Sequence, residues 1–123
     1  MPEMRGADGE RMKVAISSTG NTLESQVDPR FGRCAYFIIA EVESGKLKEW
    51  KAIPNPGMAA MGGAGISAAQ KVADEGVKTI ITGNIGPRAA AVFQQVGIQV
   101  YQATGTVKEA LESWIKGELP RLL

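Results

Sequence analysis

Apolar and polar positions follow two different periods along the chain, and the switches between them set out an ordered series of elements. Lys13 to Ser18 (KVAISS) is a short β-rich run, and Cys34 to Glu43 (CAYFIIAEVE) is apolar almost throughout, as a central strand should be. Ser44 and Gly45 mark a turn. Beyond it, KLKEWKAI sets Leu47, Glu49 and Lys51 against Lys48, Trp50 and Ala52, so the two runs predict an antiparallel hairpin. Pro54, Pro56 and the glycines of PNPGMAAMGGAG exclude regular structure there. The period then lengthens: Ile66, Ala69, Val72 and Ala73 share one helical face, and Gly76 stops that helix. VKTIITG is a buried strand. Pro87 suits the first turn of a second helix, where Ala89, Val92, Phe93 and Val96 fall at i, i+3, i+4 and i+7. Gly97 ends it, IQVYQA is the last strand, and Thr106 can cap a third helix whose apolar face is Val107, Ala110, Leu111, Trp114 and Ile115.

The order β, β, β, α, β, α, β, α predicts an α/β fold, a mixed sheet with helices on both faces. One domain over 13–119 accounts for these elements. Residues 1–12, which are polar and charged, read as a disordered leader, and Met12 could itself be a start.

Composition narrows the function. The 123 residues are 44% hydrophobic and 22% charged, the profile of a globular domain. Fourteen basic and thirteen acidic side chains leave a net charge of +1, so no global field draws in nucleic acid or an anionic membrane. Any anion binding has to be local. With no histidine and one cysteine, a structural zinc site is close to excluded, as are Ser-His and Cys-His catalysis. The absence of a signal-peptide pattern or a long apolar run points to the cytoplasm.

Three stretches could carry chemistry. GGAGISAA contains Gly63-x-Gly65-x-x-Ala68, a variant of the dinucleotide fingerprint. No strand leads directly into it, however, and no acidic residue lies between Val77 and Lys108 to take the ribose. What survives is glycines ahead of a helix, which can either expose N–H donors as an anion cradle or simply make tight turns. TGNIGPRA puts Gly83, Asn84 and Gly86 before a helix with Arg88 in its first turn, where a cation opposes the helix dipole unless an anion binds there. DPRFGRC brings Arg30 and Arg33 next to Cys34. That cysteine is a thiolate ligand if the charges reach it, and a small core residue otherwise. Met58 and Met61 flank the glycine loop and could offer soft thioether contacts, or simply fill gaps or face solvent.

Taken in order, KVAIS, DPRFGRC-YF, NPG…GGAGI-AAQ, ITGNIGPRA and GI-VY resemble the dinitrogenase iron–molybdenum cofactor biosynthesis family. This is the NifX/NifY type, which also occurs as the carboxyl-terminal domain of NifB. The likeness runs from about Lys13 to Gly117. It implies a ribonuclease-H-like, three-layer α/β/α fold with a five-stranded mixed sheet in the order 3-2-1-4-5, strand 2 antiparallel. It further implies a non-enzymatic cytoplasmic carrier for an anionic metal–sulfur cluster or its precursor, with cofactor-assembly proteins as partners and neither nucleic acid nor membrane involved. The cluster would be of the iron–molybdenum cofactor type or, as in the orange-protein branch, a molybdenum–copper sulfide. The loops bearing Arg30, Arg33 and Cys34, then Gly62, Gly63 and Gly65, then Gly83, Asn84, Gly86 and Arg88 would gather at one end of the sheet. Backbone N–H groups and arginines would hold the cluster, with Cys34 as one thiolate ligand to metal. Cofactor-binding members often use histidine, and this chain has none. A regulatory or interaction module binding an anionic metabolite or a protein partner is the alternative. Either a monomer or a homodimer is compatible with exposed strand edges.

Overall fold

The computed structural model describes residues 11–59 and 61–123. Five strands and three helices follow in the expected order: β1 (Arg11–Ser18), β2 (Tyr36–Glu43), β3 (Lys46–Pro54), α1 (Ala64–Asp74), β4 (Thr79–Thr82), α2 (Pro87–Val96), β5 (Gln99–Gln102) and α3 (Val107–Ile115). Short 3-10 turns lie at Phe31–Arg33 and Pro56–Ala59. The sheet order is β3-β2-β1-β4-β5. β2 pairs antiparallel with β1 and with β3, while β1–β4 and β4–β5 are parallel.

Helices cover both faces, which is why the inner strands read as nearly continuous apolar runs. Successive residues of a strand point to opposite faces. Ala15, Phe37, Ile39, Ile80 and Val100 therefore meet α1 and α2 through Ala68, Val72, Ala89 and Phe93. Their neighbours Val14, Ile16, Ile38, Ala40 and Ile81 meet Val107, Ala110 and Leu111 of α3.

Boundaries moved in several places, and the stretch 54–65 expected to lack regular structure holds the 3-10 turn at Pro56–Ala59 and the start of α1 at Ala64. β1 begins at Arg11, two residues inside the expected leader, because Arg11 pairs with Glu43 and Met12 with Val42 in the β1–β2 ladder. The Arg11 guanidinium also donates to Glu49 (2.7 Å), Glu41 (3.2 Å) and Glu43 (3.3 Å). Residues 1–10 of the expected leader lie outside the described residues. β2 begins at Tyr36 rather than Cys34, since a 3-10 turn consumes Phe31–Arg33 first. Beyond the expected domain end, residues 120–123 run antiparallel along β5: Leu122 N donates to Val100 O (2.7 Å) and Gln102 N to Pro120 O (2.8 Å).

Because β3 is parallel to β1, the carboxyl ends of β1, β3, β4 and β5 share one edge of the sheet with the start of β2. The register Ser18–Tyr36–Pro54 makes this explicit. Loops leaving that edge build the site.

Candidate functional site

Two helices start at this edge without a side-chain cap. Gly63 is the N-cap of α1 in the left-handed region (φ 68°), and Gly86 is the N-cap of α2, with Pro87 opening its first turn. Neither first turn contains an acidic residue. α3 differs: Thr106 Oγ1 accepts from Glu109 N (3.1 Å), and Glu109 Oε1 accepts from Thr106 N (3.0 Å), a complete capping box. The first N–H groups of a helix lack intrahelical acceptors and carry the positive end of its dipole. α1 and α2 thus each present donors that no side chain of their own consumes.

Both starts open into one cleft of about 290 Å³. Gly63–Gly65 form one wall and Gly86–Ala89 the other, with Phe31 and Gly32 between them. The walls approach closely. A Cβ placed on Gly65 would stand 3.7 Å from Ala89 Cβ, and one on Gly32 would stand 3.1 Å from Gly65 Cα and N. Phe31 is buried in a cluster with Phe37 and Phe93, its ring centroid 5.1 and 5.2 Å from theirs.

Of the residues named from sequence, Gly63, Gly65, Gly86 and Arg88 line this cleft. Arg88 is exposed and makes no ion pair with a described residue. Gly62 is exposed and precedes the α1 N-cap. Gly83 and Asn84 belong to the same β4–α2 loop but do not line the cleft. At Gly83 a Cβ would fall 2.5 Å from Pro29 Cα, so glycine is needed there to let the 28–33 loop pack against the end of β4. Asn84 is exposed, and its carbonyl takes a long bond from Thr82 Oγ1 (3.5 Å).

The other two arginines brace loops. Arg30 grips the buried Asp28 carboxylate with Nε and Nη2, both at 3.2 Å, and this raises the guanidinium pKa. Asp28 is itself anchored: Ser17 Oγ donates to its carbonyl (2.7 Å) and lies 2.7 Å from Thr82 Oγ1. Arg33 Nη1 donates to the carbonyls of Gly57 and Met58, each at 3.3 Å.

Cys34 is not where a ligand would be. It has no exposed surface, sits in the core under α1 and α2, and donates to Phe31 O (3.3 Å). Burial pushes the thiol up to about 12, so the sulfur stays protonated at neutral pH. In this arrangement the tentative ligand packs as a small core residue and does not line the cleft. Folding retains a proton that the unfolded chain releases, so stability is intact below the ordinary thiol value of 9.0 and falls as pH climbs toward about 12. At pH 8 the native protein is expected to resist alkylation by iodoacetamide and to react only once unfolded, as mass spectrometry would show. Rapid native labelling would refute the burial. Among the described residues no group of three or more Cys, His, Asp or Glu could hold a metal ion.

Sequence reading missed Phe31, Gly32 and Pro87 as cleft walls, and Asn55, which is 5% exposed and joins two of the loops. The signals were present as an aromatic residue inside a turn-rich loop and an Asn-Pro-Gly turn. No helix among the described residues is long and apolar enough to cross a membrane.

Comparison with known proteins places this cleft in a wider setting. An uncharacterized protein of Methanocaldococcus jannaschii is 40% identical over 111 residues, covering 89% of this chain and 91% of its own. The apo form of the orange protein from Desulfovibrio gigas superposes with a TM-score of 0.80 at 33% identity, over 92% of this chain and 94% of that one. A candidate NifB protein from Thermotoga superposes with a TM-score of 0.76 at 35% identity, over 90% and 93%. The family pattern named dinitrogenase iron-molybdenum cofactor matches residues 12–117. The chain therefore belongs to the dinitrogenase iron–molybdenum cofactor family, small accessory proteins of that cofactor's biosynthesis.

Proposed function

We propose that the protein is a carrier for an anionic metal–sulfur cluster or its precursor, taken up in the cleft between the starts of α1 and α2. The cargo is of the iron–molybdenum type or a molybdenum–copper sulfide, and it passes to or from cofactor-assembly proteins without chemical change. One observation carries this reading: two uncapped helix N-termini with no acidic residue in their first turns face the same space as Arg88. Backbone N–H groups can donate to the sulfides of a cluster, and the guanidinium adds a charge-assisted bond. The donor set suits non-covalent capture. Gly63, Ala64, Gly65 and Ala89 supply N–H groups, Arg88 supplies charge, and Cys34 supplies no bond because its sulfur is enclosed.

Anaerobic titration with tetrathiomolybdate, alone and with copper(I), tests it. The wild-type protein is expected to retain the coloured anion through desalting. Arg88→Glu is expected to lower affinity by about 10- to 100-fold, the equivalent of losing one hydrogen bond to a charged group at about 1.5–3 kcal/mol. Failure of the wild type to retain either the anion or an iron–molybdenum precursor would sink the carrier reading. It would favour a module that binds a metabolite or protein partner.

A further inference from the structure

The cleft is shaped by a residue that never reaches it. Asn55 lies at the end of β3, almost wholly buried, and its side-chain amide is used on both sides. Nδ2 donates to Cys34 O (2.9 Å) and Gly32 O (3.1 Å), while Oδ1 accepts from Gly57 N (2.8 Å). The 31–34 turn and the 56–59 turn are thus joined through one side chain. Both segments also press on the start of α1. A Cβ on Gly57 would stand 2.6 Å from Ala64 O and 2.7 Å from Gly32 O, and one on Gly32 would meet the Gly65 backbone at 3.1 Å.

The geometry points to Asn55 as a positioning residue: it fixes Gly32 against Gly65, and through that contact sets the width and aim of the cleft. Only a planar group that offers two N–H bonds and an acceptor at this reach satisfies all three partners. An aspartate of the same shape would present oxygen to two carbonyl oxygens. A glutamine would overshoot, because the two turns already meet backbone to backbone. The functional meaning of this role rests on the carrier reading, but the placement of Gly32 and Gly65 can be measured without any cargo.

The test compares Asn55→Asp with the wild type and with Thr106→Ala, which removes the cap of α3 on the opposite face of the sheet from α1 and α2. Tetrathiomolybdate is the probe, and amide NMR of the free proteins reports the backbone. Asn55→Asp is expected to bind at least tenfold more weakly and to shift the Gly32 and Gly65 amides, leaving α3 amides such as Leu111 in place. Thr106→Ala, also destabilised, is expected to keep wild-type affinity. Should Asn55→Asp not fold, Asn55→Ala removes the three bonds without the repulsion and carries the same comparison. A folded Asn55 variant with wild-type affinity, or with unmoved Gly32 and Gly65 amides, would overturn the inference. If the wild type itself binds no tetrathiomolybdate, the amide shifts alone decide whether Asn55 sets the cleft, and the carrier reading is judged separately.

Discussion

Phe31→Ala is expected to lower unfolding stability by about 3–5 kcal/mol, the range for removing a buried phenylalanine from a packed core. The ring has 2% of its surface exposed and contacts Phe37 on β2 and, edge-on, Phe93 on α2. It therefore links the 28–33 loop, the sheet and a helix in one aromatic cluster. Domains of this size have only about 5–15 kcal/mol in total, so about a fifth or more of the stability is at stake. Urea denaturation would register the loss as a lower midpoint. Phe31→Leu, which keeps an apolar side chain in the cavity, should recover much of it. A midpoint within error of wild type for Phe31→Ala would mean that the loop does not depend on the ring. Because Phe31 also lies beneath the cleft, the alanine variant should lose affinity for a thiometallate even under conditions where it remains folded.

Gly65→Asp is expected to move stability and binding in opposite directions. Gly65 is the second residue of α1 and is free of positive φ, and a Cβ there would make only ordinary contacts with Ala89. Replacing a helical glycine removes a penalty of up to about 1 kcal/mol, and a carboxylate in a first turn gains about 0.3–1 kcal/mol from the dipole. The same carboxylate would occupy the N–H groups proposed for the cargo and set a negative charge opposite Arg88. Affinity for tetrathiomolybdate is expected to fall at least 100-fold, while the thermal midpoint holds or rises. Gly65→Ala should show the milder form, with stability up and binding reduced by bulk alone. A Gly65→Asp protein that binds as well as wild type would place the anion elsewhere. Surrendering helix stability at a site that needs open donors fits the general trade between stability and function.

Much of this was legible in the sequence because its signals are local. The 3.6-residue spacing of Ala89, Val92, Phe93 and Val96, the stops at Gly76 and Gly97, and the cap at Thr106 each depend on neighbours in the chain. The parts that were not legible depend on contacts between distant segments. Cys34 and its flanking arginines look like a site when read along the chain. Burial under α1 and α2 decides that the sulfur is core, and the buried Asp28 decides that Arg30 is a brace. Gly83 read as a loop that faces ligand, whereas its neighbour in space is Pro29, 54 positions earlier by subtraction of the two residue numbers. Residues 120–123 carried too little pattern to be read as a strand, because their pairing with β5 comes from backbone bonds rather than side-chain periodicity.

That terminal pairing has a consequence for how molecules of this protein meet one another. Residues 120–122 occupy the outer hydrogen-bonding groups of β5, so among the described residues the sheet has one long free margin, the nine-residue strand β3. Such a margin is a template on which a second chain can zip. Here it carries Lys46, Lys48 and Lys51, ends at Pro54, and is twisted by an irregularity opposite Glu41 and Val42. Charge, a missing N–H and a bend each penalise an incoming strand, so what guards this margin against edge-to-edge pairing is its own make-up and not a large net charge, which is only +1.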